Sequence, residues 1–128
     1  MNETSTPITG VRTVGVPVTD QEQALEFYLD KLGFEKRLDV PVPQFGGRWI
    51  EVAPRGAAIT IALVPSREDA PAGVETGIRF TTPDAGRVHA DLAGRGVKVD
   101  ELLHWPGIPP MFKLRDQDGN GFEITQAA

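Results

Sequence analysis

The chain alternates between runs of two hydrophobic periods. From Val11 to Val18 (VRTVGVPV), Val14, Val16 and Val18 share one face while Thr13, Gly15 and Pro17 share the other, which predicts a strand buried on one side. The period then changes. In QEQALEFYLDKL, Ala24, Leu25, Tyr28 and Leu32 recur at helical spacing; Thr19-Asp20, with Gln23 following, supplies a capping-box start, and Gly33 suits a left-handed stop. Alternation returns at Phe34 to Val40, at Gly47 to Ala53 and at Ala57 to Val64, with the loop 41–46 between the first two. Ile50 and Val52 share a face opposite Trp49 and Glu51, and Ile59, Ile61 and Leu63 oppose Thr60 and Ala62.

The stretch PSREDAPAGV (65–74) breaks the pattern as a linker does. The same order then starts again. A strand over Thr76 to Thr82 sets Ile78 and Phe80 against Gly77, Arg79 and Thr81. A helix opens at Asp84 and carries Ala85, Val88 and Leu92 before Gly94 and Gly96. Strands follow at Val97 to Leu102 and Met111 to Arg115, and the polar turn 116–121 leads into a last strand where Phe122 and Ile124 oppose Glu123 and Thr125. The strand-to-helix junctions at Asp20 and Asp84 lie 64 residues apart (84 − 20). The expected fold is therefore α+β: two tandem βαβββ modules, about 11–64 and 75–126, forming a curved mixed sheet around a cavity within one 128-residue domain.

Composition narrows the partners. An apolar content of 40% suits one core, and a net charge of −5 with both signs scattered provides no basic stripe for nucleic acid or an anionic membrane. A small molecule is the expected ligand. The absence of cysteine excludes disulfides, thiolate metal sites and a Cys nucleophile. MNETSTPITG lacks the basic start and apolar run of a secretory signal and reads as a lead-in, so a soluble cytoplasmic protein is expected.

Two motifs carry a resemblance: V-x-V-x-D followed by A-x-x-F-Y-x-x-x-L-G-F at Val16 to Phe34, and D-x-D-G-N-x-x-E at Asp116 to Glu123. Over roughly Val11 to Gln126 the chain resembles the vicinal oxygen chelate superfamily of glyoxalases, extradiol dioxygenases and bleomycin-resistance proteins. Gln117 departs from the proline more usual in that turn. The resemblance implies that metal-dependent members would place ligands at positions corresponding to Thr13, about Ala62, Gly77 and Glu123. Only Glu123 can ligate, and a divalent ion needs three or four converging donors. No cofactor is expected. A rescue by Glu51, His104 and Glu123 is conceivable, whereas His89 reads as a helix-packing or surface residue, and Glu123 as either a cavity residue or a solvated one.

If the apolar face of each strand packs on the helices, the opposite faces list the candidate ligand-binding residues: Thr13, Gly15, Trp49, Glu51, Thr60 and Ala62 from the first module, and Gly77, Arg79, Met111 and Glu123 from the second. Phe45, Trp105 and Phe112 add aromatic surface in and beside the loops. Small residues at the former ligand positions leave space for a bulky organic molecule. The expectation is a metal-free binding protein, similar to the bleomycin-resistance branch, that sequesters a partly aromatic antibiotic or other natural product as a homodimer. The alternative is a lyase, isomerase or dioxygenase-like enzyme using an unusual metal site, or Glu51 or Glu123 as a general base.

Overall fold

Asp20 and Asp84 start the two helices as their positions predict: each side chain accepts a hydrogen bond from the backbone N–H three residues on, Gln23 and Arg87 respectively, both at 3.0 Å. The computed structural model describes residues 6–127, so half of the expected lead-in lies outside the described residues. The strands are β1 (Thr13–Val18), β2 (Glu35–Val42), β3 (Gly47–Ala53), β4 (Thr60–Pro65), β5 (Glu75–Thr82), β6 (Lys98–Val99), β7 (Met111–Arg115) and β8 (Gly121–Gln126). Helix α1 (Gln21–Glu26) follows β1, and α2 (Ala85–Gly94) follows β5. One four-stranded sheet runs β1-β4-β3-β2 and the other β5-β8-β7-β6, each with one parallel pair at β1–β4 or β5–β8. The class is α+β and the βαβββ order occurs twice, with the mixed sheet divided into two halves.

Three elements differ from the periodicity. The first helix is α-helical only to Glu26 and continues as a π turn over Phe27–Lys31, closed by Leu32 N–H to Phe27 C=O at 3.3 Å. The fourth strand starts at Thr60, so Ile59 lies exposed in the 54–59 turn and not on the apolar face with Ile61 and Leu63. Pro54 and Gly56 stop the strand pattern that Ala57 to Ile59 would otherwise extend. The strand expected over Val97 to Leu102 is reduced to Lys98–Val99: Asp100 N–H still bonds Lys113 C=O, and beyond it the chain meets β7 only at the isolated Leu103–Met111 bridge.

Both helix-covered sheet faces join one core. Val16, Val18, Ile50, Val52, Ile61 and Leu63 from the first sheet cluster with Phe112, Leu114, Phe122 and Ile124 from the second. Tyr28 from the first module meets Phe122 edge-on at 6.1 Å, and Phe34 meets Phe80 at 5.2 Å. The β7–β8 turn locks this arrangement. Asp116 accepts from Tyr28 Oη at 2.7 Å and from the Asn120 side chain at 2.9 Å; Asn120 also donates to Pro17 C=O at 2.9 Å, and Asp118 accepts from the Thr19 hydroxyl at 2.6 Å. Burial, then the adjacent Asp116 carboxylate, pushes the Tyr28 phenol well above its ordinary range. The D-x-D-G-N motif is thus a clamp between modules as well as a hairpin turn.

Candidate functional site

On the first sheet the face opposite α1 is a small-residue floor with a polar edge. Thr13 pairs with Thr60, and Gly15 and Glu51 both lie beside Ala62, which brings five predicted positions together. Glu51 is only 3% exposed, yet its carboxylate is fully engaged: it accepts from Trp49 Nε1 at 2.7 Å, Thr60 Oγ1 at 2.8 Å and the Arg12 guanidinium at 3.1 Å. Burial raises its pKa, but the hydrogen bonds from Trp49, Thr60 and Arg12 outweigh that effect and hold the carboxyl below the ordinary carboxylate range. Glu51 therefore fixes the Trp49 indole at the rim of the floor. Phe45, in a short 3₁₀ turn before β3, is exposed beyond it.

On the second sheet, Arg79 and Lys113 flank Glu123 on neighbouring strands, and Met111 pairs with Thr125 on the same face. Phe112 does not join them. Strand alternation turns it to the helix side, where it is buried edge-on against His89 at 4.9 Å. It is a core residue, and His89 is its packing partner, bonded to Asp100 C=O at 2.8 Å. Trp105 stands exposed in the loop 103–110. Gly77 sits at a break in the β5–β8 register, between the Glu75 and Arg79 pairings, with φ +73°. Three β5 residues there face one on β8, so the strand is kinked at a conformation that side chains with a Cβ rarely adopt.

A divalent metal does not fit this donor set. Among the described residues no three His, Asp or Glu side chains come close enough to share an ion. Glu51 is committed to its three donors, Glu123 faces Arg79, and His104 is exposed in the loop, so that trio is not assembled within the chain. The kink at Gly77 adds a backbone obstacle at a position where metal-dependent relatives would carry a ligand.

The sequence reading missed two contributors. Arg12 belongs by alternation to the valine face, and only its long side chain brings it round to Glu51. The turn 54–59, which the expected strand concealed, forms with Val14, Ile61 and the β5 residues Thr76 to Thr81 a cleft of about 830 Å³ between the modules, lined on the first sheet from the helix side and not from the small-residue floor. Among the described residues no helix is long and apolar enough to cross a membrane.

The family model described as Glyoxalase/Bleomycin resistance protein/Dioxygenase superfamily matches residues 10–124. The chain belongs to this superfamily. TnmS3, an antibiotic binding protein from Streptomyces sp. CB03234, has a crystal structure that superposes with a TM-score of 0.85 at 34% identity, covering 97% of this chain and 100% of that one. A glyoxalase/bleomycin resistance protein from the same Streptomyces strain superposes at 0.79 with 35% identity, over 91% of this chain and 100% of that one. In sequence, the Bacillus subtilis protein YetH is 31% identical over 91% of this chain and 97% of its own length. A lactoylglutathione lyase from Agrobacterium tumefaciens, at 20% identity and a TM-score of 0.72, shares the fold alone.

Proposed function

We propose that this superfamily member is a metal-free binding protein that sequesters a bulky, partly aromatic antibiotic or natural product in the cytoplasm. The observation that carries the reading is the small-residue floor of Thr13, Gly15 and Ala62, with the Trp49 indole fixed beside it by Glu51. Thr13, Ala62 and, on the second sheet, Gly77 stand at positions where the resemblance puts metal ligands. Such a surface offers room and aromatic contact together. The similarity to an antibiotic binding protein supports the same reading. For the enzymic alternative Glu51 is a poor base, because Trp49, Thr60 and Arg12 already hold its carboxylate.

The ligand cleft of this proposal is completed by a second copy of the chain. β1 and β5 are each the end strand of a sheet, with β4 or β8 as sole partner, and an open strand edge invites pairing. Light scattering at tens of micromolar is expected to give about twice the 13.9 kDa chain mass; a monomer mass removes the shared cleft. Titration with planar natural products is expected to quench tryptophan fluorescence saturably. Trp49→Ala or Trp105→Ala should weaken binding about threefold to tenfold, as loss of one stacked ring predicts. Unchanged affinity in both variants would take tryptophan out of the site.

A further inference from the structure

Glu51 and Glu123 are carboxylates on corresponding faces of the two sheets, yet they are treated oppositely. Glu51 has three donors. Glu123 Oε2 is inaccessible to solvent and accepts no hydrogen bond among the described residues. Arg79 Nε lies 2.8 Å from it, but the N–H is not aimed along that line, so the contact is an ion pair without a hydrogen bond. A buried acceptor without a donor is uncommon and calls for an occupant. The Arg79 side chain paired with it is 70% exposed, against 25% for Glu123, so little packing holds it over the carboxylate. Glu123 also borders two hollows on this face, of about 210 and 260 Å³.

We infer that Glu123 is a specificity-determining residue that accepts a hydrogen bond from a neutral hydroxyl on the ligand's aromatic body. This deepens the binding function proposed above and rests on it. The ion pair at Glu123 selects the donor. Arg79 already supplies the counter-charge to the carboxylate, and Lys113, the cross-strand neighbour of Glu123 on β7, is paired with Glu75 at 3.6 Å, while Asp100 and Glu101 line the second hollow. An ammonium must compete with Arg79 for the carboxylate, whereas a neutral hydroxyl needs only the oxygen that Arg79 leaves without a hydrogen bond. A site built around a hydroxyl rejects the analogue lacking it, because the acceptor is then left buried and unpaired. Gly77 lines the first of the two hollows and Met111 the second, so a ring can approach the carboxylate from either side of β8.

The test uses three matched fluorescent probes: 1-hydroxypyrene, pyrene and 1-pyrenemethylammonium, titrated against the full chain by tryptophan-to-pyrene energy transfer. Wild type is expected to bind 1-hydroxypyrene about tenfold tighter than either of the others. Glu123→Leu should reduce that preference to within about twofold, by weakening 1-hydroxypyrene and by relieving pyrene of the unpaired acceptor, with the circular dichroism unchanged. Equal wild-type affinity for hydroxypyrene and pyrene, or tighter binding of the ammonium probe, overturns the role of Glu123 and leaves aromatic binding standing. A preference that persists in Glu123→Leu also overturns it. Binding of none of the three overturns the aromatic-ligand reading itself, and this inference with it. The wild-type comparison decides the matter even where the variant fails to fold.

Discussion

Asn120→Ala is expected to lower the thermal midpoint by about 10 °C, the largest effect of any single polar truncation in this chain. Asn120 is fully buried. Its Nδ2 donates to Pro17 C=O and Asp116 Oδ2, both at 2.9 Å, while its Oδ1 accepts from the N–H groups of Gly73 and Val74 at 2.8 and 3.0 Å. One side chain thus ties β1, the inter-module linker and the last hairpin together. Alanine leaves four partners without it, and a buried group without a partner costs about 1–3 kcal/mol. Water entering beside the exposed Gly119 will relieve part of this, which leaves a net loss of about 3 kcal/mol. Gln117→Ala, in the same turn but exposed, is the control and should stay within about 0.5 kcal/mol. A drop below about 3 °C for Asn120→Ala, measured by calorimetry, would show that the modules do not depend on this clamp.

Glu51→Ala should cost about 1–2 kcal/mol and change the Trp49 emission, because it strands the indole N–H, while the Thr60 hydroxyl keeps Thr13 Oγ1 at 2.7 Å as an acceptor. Exposed Arg12 adds little to that figure, since its partner-free state is well solvated. The same carboxylate gives stability a pH dependence of known sign. Its folded pKa lies below the ordinary value of 4.5, so folding disfavours proton uptake. The contribution is complete above about pH 4.5 and is lost as pH falls through the lower folded value. Asp39 and Glu75 are also lowered, through Arg48 and Arg115 respectively, and they contribute in the same direction. The difference between wild-type and Glu51→Ala acid denaturation curves therefore isolates Glu51. That difference should shrink below pH 4, and one that stays constant to pH 2 would exclude an ionised Glu51 from the folded site.

Most of the architecture was readable because strand alternation and helix caps are local. Val14, Val16 and Val18, the Asp20 and Asp84 caps and the 64-residue repeat (84 − 20) led directly to two βαβββ units. Local pattern also misled where a long-range partner or a turn decided the outcome. Ile59 continued the phase of Ile61 and Leu63, but the Pro54–Gly56 turn places it outside the ladder. Phe112 borders the aromatic loop in sequence, but alternation with Met111 and Lys113 turns it toward α2. The π turn at Phe27–Lys31 has no sequence signature of its own. The bond from Tyr28 to Asp116, 88 residues away, is a contact that only the folded chain reveals. For the site, strand phase brought Thr13, Gly15, Thr60, Ala62 and Glu51 together. The donors on Glu51 and the bare oxygen of Glu123 depend on side-chain geometry that phase does not encode.

The kink at Gly77 sets residue 77 apart from the other positions at which the resemblance puts metal ligands. Point changes could place histidine or glutamate at residues 13 and 62, whose strands pair in regular register. Residue 77 is different, because β5 carries extra length there and its φ of +73° suits glycine. A histidine at that position would enter a strained backbone, at a penalty of about 1–2 kcal/mol, before any ion could reward it. A ligand set spanning both sheets therefore asks for a change in the length of β5 as well as new side chains, whereas the floor on the first sheet can vary one residue at a time.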